Sequence, residues 1–591
     1  MMRINSLGSD IPYQPGNPTN DDRHMLARVA LEQKGRIEDF EYIFKLTSPP
    51  PDITSFAKPG GYGDIRVGIV GGGLSGLAAA FELRKLGFDI TVFDALEDRI
   101  GGRVYTHYFN REKTLYGEMG PMRIPVTHET TWHYINLFRL DTRPFIQVNE
   151  NALIYLRNIR VRNDPEGRNV MKYIYPRYNM APWERGISWQ NLTYRAFDSH
   201  LLRTSPDARS EILQVKPFYI PSTLSWDACS SRRMLESTDL SQDAISLLEN
   251  FSPLAGENMY KSYIDYIQEV YSVDLSFLYE IPGGIAKLPL AFFNSLTGRN
   301  SGSPHRFMPV QIPGHVRFRR GNWVEGIRWN GDTCKVALAY RNKESPRQLY
   351  DQFDYVICTI PFSVLRTIKV EPLFSDIKMQ AIKEVDYIPA QKAYLMCRHR
   401  FWEEGGPGER IIGGVSFTDL PITQVVYPSD HVSRCTGRVN LVPGYNPSYM
   451  PQPVENTGKE LARQPGALLA SYNFNLETTR LANQPERLRM EEIKREVEMV
   501  HGLKRGYLDT VVADSFILNW NNEPWFRGAL CFYNTEQKRL LSYASAFPEY
   551  HIHVFFACEH VSAKHRWMQG ALQSGMEAAN SVARVCRIRN A

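Results

Sequence analysis

The stretch Gly71-Gly72-Gly73-Leu74-Ser75-Gly76 limits what this chain can fold into more than any other. It fits the pattern G-x-G-x-x-G and stands between two kinds of periodicity. Before it, Ile65-Arg66-Val67-Gly68-Ile69-Val70 is a short β-rich run. After it, Leu77, Ala80, Phe81 and Leu83 recur at helical spacing between Leu74 and Leu86. Gly87 stops that helix, and Asp89-Ile90-Thr91-Val92-Phe93-Asp94 reads as a second strand. Strand, turn, helix and strand in this order predict a parallel sheet with a right-handed crossover. Gly71 permits the tight turn out of the strand, Gly73 lets the backbone approach a pyrophosphate, and Gly76 lets the helix pack close to the sheet. Leu74 and Ser75 open the helix, whose free N–H groups and positive dipole end face the phosphates. Asp94 ends the second strand, 23 residues after Gly71. A carboxylate there accepts hydrogen bonds from ribose hydroxyls and repels a 2′-phosphate, so the stretch predicts a dinucleotide site.

The next loop, Arg99-Ile100-Gly101-Gly102-Arg103, sets two glycines before an arginine. That order suits a backbone and a guanidinium lying along a pyrophosphate. At 591 residues the chain exceeds the size at which one core stops growing, which predicts about two to four domains. Hydrophobic residues make up 43% and charged residues 23%, so a core able to enclose a large cofactor is available. The net charge of +5 comes from 69 basic and 64 acidic residues without long like-charge runs, and gives no footprint for nucleic acid. Arg584, Arg587 and Arg589 read as cations at a helix C-terminus. The eight cysteines show no C-x-x-C spacing, so no metal site is signalled; they read as reduced, mostly buried thiols. The N-terminal residues MMRINSLGSDIPYQPGN are polar, without an apolar stretch of signal-peptide length, and no apolar run reaches about eighteen residues. The expectation is a cytoplasmic protein with no membrane span.

Residues 1–64 read as a lead-in punctuated by Ser48-Pro49-Pro50-Pro51-Asp52 and Pro59-Gly60-Gly61-Tyr62-Gly63. Helical spacing over about 23–45 (Leu26, Val29, Ala30, Ile37, Phe40) predicts a segment that packs on the body. Helical spacing also dominates residues 150–275, as in the run from Leu240 to Leu248. Strands return from about 306, in Val316-Arg317-Phe318-Arg319, in the run from Lys335 to Tyr340, and in that from Tyr355 to Thr359. A strand and a long helix fill the stretch from Ile552 to Ala583. No internal repeat or low-complexity tract is present.

Four blocks spread from about 65 to 585 resemble the flavin-containing amine oxidase superfamily, and within it the L-amino acid oxidases. The first is IVGGGLSGLAAAFELRKLGFDITVFDALEDRIGGR at 69–103. The second is Gly117-Glu118-Met119-Gly120-Pro121-Met122-Arg123-Ile124-Pro125, whose G-P-M-R-I-P is similar to the amino acid oxidases specifically. The third joins Ala390-Gln391-Lys392-Ala393, Phe401-Trp402-Glu403 and the run from Gly413 to Pro421. The fourth runs from Phe555 through Glu559-His560 and Trp567 to Gly575. The resemblance implies an α/β fold: a Rossmann-like FAD-binding domain from 65–107, 276–385 and 546–591, a mixed-sheet substrate domain from 108–150 and 386–545, and a helical domain at 151–275. Residues 1–60 have no counterpart in the resemblance.

The resemblance also implies roles. Arg123 clamps the substrate α-carboxylate, for which arginine suits because its planar fork binds a carboxylate bidentately. Tyr472 gives that carboxylate a second hydrogen bond. Lys392 holds a water near flavin N5 and serves the oxidative half-reaction as the catalytic residue. Glu559 binds the flavin ribitol, and Trp567 lies beside the isoalloxazine and the substrate. Met568 opens the final helix, whose positive end faces flavin N1–C2=O. The backbone of Val324 contacts adenine. Ala95, Gly102, Arg103, Gly120, Pro121, Met122 and Arg123 complete the cofactor contacts.

The implied reaction transfers a hydride from the α-carbon of an L-amino acid to FAD, with oxygen as acceptor. It gives a 2-oxo acid, ammonia and hydrogen peroxide, and the family is often dimeric. Two positions depart from the pattern. Cys558 replaces a usual glycine, and Arg566 replaces a small residue whose carbonyl faces the substrate amine. The Arg566 side chain narrows the pocket, favours an acidic side chain or points to solvent. Ala529 falls where some members carry a flavin-linking cysteine, so non-covalent FAD is expected, with Cys531 the alternative attachment point. An L-amino acid 2-monooxygenase, a monoamine or polyamine oxidase on the same fold, and a non-catalytic flavin-binding protein stay open.

Overall fold

The structure is a computed structural model that describes residues 14–251, 256–298, 314–345, 347–406, 408–432, 435–436, 439–440, 448–449, 452–453 and 458–590. Most of the polar N-terminal stretch, residues 1–13, lies outside the described residues.

The glycine-rich turn sits where the periodicity places it. Strand β1 (Arg66–Val70) leads into helix α1 (Leu74–Lys85), and β2 (Asp89–Asp94) follows. Leu86 caps the helix, and Gly87 adopts φ +98°, a conformation that favours glycine. β1 pairs in parallel with β2, with Ile69 opposite Val92. Remote segments complete this sheet: β3 (His315–Arg320), β4 (Tyr355–Cys358) and β5 (Val554–Phe556), in the order β3-β2-β1-β4-β5, all parallel. Both faces of a parallel sheet must be covered, which explains why β1 and β2 are almost wholly buried.

One cover is the long C-terminal helix Met568–Asn590, which crosses α1. A Cβ on Gly575 would stand 2.3 Å from the Ser75 carbonyl oxygen, so the two helices touch backbone to backbone. Ser75 Oγ donates to the Ala571 carbonyl (2.7 Å) at the same crossing.

A seven-stranded mixed sheet forms a second layer. Its order is Val512–Asn519, Ala390–Cys397, Gly466–Phe474, Gln424–Val426, Val415–Thr418, Leu153–Leu156 and Ile159–Arg162. Only Val415–Thr418 against Leu153–Leu156 is a parallel pair; the other pairs are antiparallel. Helices between Trp189 and Tyr271 follow a hairpin (Leu153–Arg162) that belongs to this sheet, and Phe251 of that region meets Phe417 of the sheet edge-on. The architecture is thus α/β, with a parallel cofactor-type sheet, a mixed sheet and a helical insertion.

The lead-in contains two helices where one helical stretch is expected. Asn20–Gln33 begins with a capping box of Thr19 and Asp22, and Phe40–Thr47 follows a turn at Gly35. Leu26, Ala30 and Phe40 are buried, while Ile37 is 38% exposed. The lead-in clamps the final helix: Gln569 Nε2 donates to the Thr47 carbonyl (2.6 Å) and Asn580 Nδ2 to the Pro51 carbonyl (2.8 Å). Among the described residues, no helix is long and apolar enough to cross a membrane.

Candidate active site

The glycine turn forms one wall of a cavity of about 460 Å³. Gly71 adopts φ +113°. A Cβ on Gly76 would meet the Gly71 carbonyl oxygen at 2.1 Å, so only glycine lets α1 begin this close to β1. A Cβ on Gly73 would meet nothing nearer than the Gly102 Cα, at 4.0 Å, which leaves its backbone open to the cavity. Gly71, Gly73, Leu74 and Ser75 line this end, with Asp94, Ala95, Gly102 and Arg103 beyond β2. Gly120, Pro121 and Val324 also line the cavity. Gly76, Met122 and Arg123 do not: Gly76 packs under the turn, Met122 lies in the core, and Arg123 is buried outside the lining.

Asp94 is buried. Its Oδ1 accepts from the Leu96 backbone N–H (3.0 Å), while its Oδ2 has no partner among the described residues. Burial pushes its pKa up to about 6. That orphaned oxygen fits a hydroxyl donor such as a ribose, and the open Gly73 backbone fits a pyrophosphate, so the residues present suit a dinucleotide. Gly72 has a task the motif alone does not reveal: a Cβ there would stand 2.2 Å from Asp94 Oδ2.

Arg103 and Glu559 tie the middle of the cavity together. Arg103 Nη1 donates to Glu559 Oε1 (3.0 Å) and to the Ala529 carbonyl (2.9 Å). Glu559 Oε1 also accepts from the Cys531 N–H (3.1 Å), and Oε2 from the Arg566 N–H (3.0 Å). Cys558, at φ 170°, keeps an extended backbone that a non-glycine residue adopts easily, and its Sγ accepts from Arg103 Nη2 (3.2 Å). Burial pushes the Cys558 thiol up.

Lys392, Tyr472, Arg566, Trp567 and Met568 line the other end of the cavity. Lys392 and Tyr472 are directly opposite on neighbouring antiparallel strands, which puts both side chains on one face. Lys392 Nζ lies 4.6 Å from the Tyr472 ring centroid and donates to the Glu118 (2.9 Å) and Gly120 (2.6 Å) carbonyls. Burial, aided by the nearby Arg123 charge, pushes the lysine pKa down to about 7. The Tyr472 hydroxyl bonds to no described residue, and burial pushes its pKa up to about 12.

Arg123 is only 8% exposed. Its Nη1 donates to Gln147 Oε1 (2.9 Å), and no carboxylate of the described residues lies within ion-pair distance. Tyr472 and Glu269 are among the groups that act on its charge.

The Arg566 side chain neither faces solvent nor fills the cavity. Residue 566 takes φ +72°, and the guanidinium folds onto helix α2 (Tyr263–Tyr271). Nη1 donates to Asp265 Oδ2 (3.0 Å), Nη2 to the Asp265 carbonyl (2.8 Å) and Nε to Glu269 Oε1 (3.3 Å). Glu269 Oε1 also accepts from Trp567 Nε1 (3.0 Å), and His128 stands edge-on to the Trp567 ring at 4.9 Å. Burial opposes ionisation of Asp265, but His565 and Arg566 hold it down at about 2. Gln147, Asp265 and Glu269 are site residues that sequence reasoning missed. Two acids four residues apart within a largely apolar helical run, YIDYIQEVY, were the available signal for the last two. Gln147 has none.

The L-amino-acid oxidase of Bothrops atrox is 27% identical over 572 residues, 95% of this chain and 96% of that one. A putative L-amino-acid oxidase of Bacillus subtilis is 28% identical over 519 residues, 88% of this chain and 94% of that one. A putrescine oxidase structure superposes with a TM-score of 0.62 at 16% identity, covering 88% of this chain and 98% of that one. Cyclohexylamine oxidase from Brevibacterium oxydans gives 0.59 at 16%, covering 88% and 99%. These two likenesses show the fold. The model of the family described as flavin containing amine oxidoreductase matches residues 74–583, nearly the whole described body, and the chain belongs to that family.

Proposed function

We propose that this protein oxidises L-amino acids with non-covalently bound FAD, giving a 2-oxo acid, ammonia and hydrogen peroxide. The observation that carries this reading is the buried Arg123 guanidinium with a neutral partner only. A buried charge without a counter-ion is costly, and the α-carboxylate of a substrate supplies the missing one. The Tyr472 hydroxyl, still protonated at neutral pH and without a partner, donates the second hydrogen bond. An amine substrate would leave Arg123 uncompensated. The relatives named L-amino-acid oxidase support the same class.

The chemistry supplied by bound FAD is two-electron hydride acceptance from the substrate α-carbon, with oxygen as final acceptor. The chain's own residues do the rest. Arg123 and Tyr472 fix the carboxylate, which orients the α-carbon. Trp567, pinned by Glu269 and by the edge of His128, closes one side. Lys392, when protonated, gives two N–H groups to backbone carbonyls and keeps a third for a water in the cavity. Its depressed pKa lets it exchange a proton near neutral pH as the electrons leave. The imine formed by loss of the hydride is hydrolysed by water to the oxo acid and ammonia.

The placement of the thiols supports non-covalent attachment. Ala529 lines the cavity where some family members carry a linking cysteine, and Cys531 does not line it. Cys558 does, but its thiol is hydrogen-bonded by Arg103 and held protonated by burial. In this reading the parallel sheet is the cofactor unit, the mixed sheet is the floor of the substrate site and the helical insertion is its roof. Product analysis tests the proposal: equal yields of oxo acid, ammonia and peroxide support it, whereas an amide with loss of carbon dioxide would make the protein a monooxygenase.

A further inference from the structure

A second cavity, about 120 Å³, adjoins the proposed substrate position. Gln147 and Glu269 line it, and these are the residues that bond Arg123 and Trp567. Five aromatic residues, Trp189, Phe197, Phe251, Tyr266 and Phe417, line it together with aliphatic side chains such as Leu248 and Val270. The rings are packed on one another. Trp189 stacks on Phe251 at 4.0 Å, Phe251 meets Phe417 edge-on at 6.0 Å, and Phe197 lies 4.7 Å from Tyr266. A box of rings this size looks at first like a pocket for an apolar side chain.

Two carboxylates contradict that. Glu269 uses Oε1 for both Arg566 and Trp567, and its Oε2 bonds to no described residue although the side chain is 10% exposed. Asp198, on the helix Trp189–Leu202, also lines the cavity. Its Oδ2 pairs with Lys34 Nζ (3.2 Å), while its Oδ1 is buried without a partner among the described residues. Of the charged residues that line the cavity, two are acids and one is the Lys34 ammonium, which leaves one negative charge in excess. Just outside, Asp265 pairs with Arg566 and His565, Arg566 reaches Glu269 Oε1 as well, and the nearby Arg123 charge is taken up by the substrate carboxylate. An apolar occupant would leave two carboxylate oxygens dry and unpaired, a costly arrangement. A cation satisfies them and lies against ring faces that attract it.

Resting on the amino acid oxidase reading above, we infer that this cavity receives a cationic side chain, so that the substrates are basic L-amino acids of the lysine, ornithine and arginine class. Arg123 then binds the α-carboxylate while Glu269 and Asp198 face the side-chain cation.

The test compares kcat/KM for L-lysine and L-norleucine, which differ by the terminal ammonium, on the flavin-loaded full chain. The inference predicts a preference for lysine of about tenfold or more, the scale of a desolvated cation–π and ionic contact. It also predicts that Asp198→Asn and Glu269→Gln each cut this ratio by about tenfold. A wild-type ratio below about ten overturns the inference whether or not either variant folds. If norleucine and phenylalanine are oxidised better than lysine, the amino acid oxidase reading stands and the cation pocket falls. If no amino acid is oxidised, both fall.

Discussion

The two ends of the large cavity are built in opposite ways. At the dinucleotide end much of the working surface is the backbone of one stretch, Gly71 to Arg103, held by the parallel sheet and joined by remote residues such as Val324 and Thr359. At the substrate end it is side chains, and they come from far apart: Arg123, Gln147, Glu269, Lys392, Tyr472 and Arg566. At Gly72 and Gly76 of the first end an added Cβ has nowhere to go. The second is tuned by charge, with an uncompensated cation at Arg123 and carboxylates at Asp265 and Glu269 facing Arg566. Steric sites fail abruptly, whereas electrostatic sites fail in steps, and substitutions can separate the two behaviours.

The largest effect is expected at the backbone end. Gly76→Ala places a Cβ within 2.1 Å of the Gly71 carbonyl, and no flexible side chain can yield there. The purified variant should carry no flavin, read from its visible absorbance. A variant that retains full colour would show that the turn can relax and would weaken the contrast.

The next effect separates function from stability at the substrate end. Arg123→Met removes a buried, unpaired charge. We expect kcat/KM for the best amino acid to fall by about a hundredfold or more, the scale for losing one partner of a buried charge pair. The melting temperature should not fall, because an apolar side chain of similar length suits the site better when no substrate is present. A large loss of stability would assign Arg123 a structural task instead. Tyr472→Phe should cost less, about tenfold in kcat/KM, since one hydrogen bond to a charged group is lost.

The smallest effect concerns pH at Asp94. Burial raises its folded pKa to about 6 from 3.8. The folded form therefore holds a proton that the unfolded chain releases. In flavin-free protein this group favours folding below about 3.8, and that contribution is lost as pH rises through about 6. The charged carboxylate is the better acceptor for ribose hydroxyls, so flavin affinity should rise over the same interval. Asp94→Asn should flatten both profiles, measured by thermal melts of the flavin-free protein and by flavin fluorescence on release.

The same contrast explains what could be read from the sequence. Steric demands are local: the strand, glycine turn, helix and strand of residues 66–94 lie within a residue or so of where periodicity and glycine spacing put them. Tyr472 opposite Lys392 depends on the pairing of strands eighty residues apart, which no local pattern encodes. Arg566 is the clearest case. Its neighbours in sequence say nothing of where its side chain goes, because Asp265 and Glu269 reach it through the fold from about three hundred residues away. The lead-in was legible as helical but not as a clamp, since the carbonyls of Thr47 and Pro51 meet the last helix only in three dimensions.

The claim that Arg123 recognises a carboxylate is tested most directly by anaerobic titration of the flavin-loaded protein, following loss of the flavin absorbance band. L-lysine is compared with its D-isomer and with cadaverine, the same molecule without the α-carboxylate, and L-norleucine and L-phenylalanine are run beside them. The account predicts bleaching by L-amino acids and none by D-lysine or cadaverine, with Arg123→Met losing the response to every L-amino acid. Bleaching by cadaverine as efficient as by L-lysine would contradict it, and would make the protein an amine oxidase whose buried arginine serves another purpose.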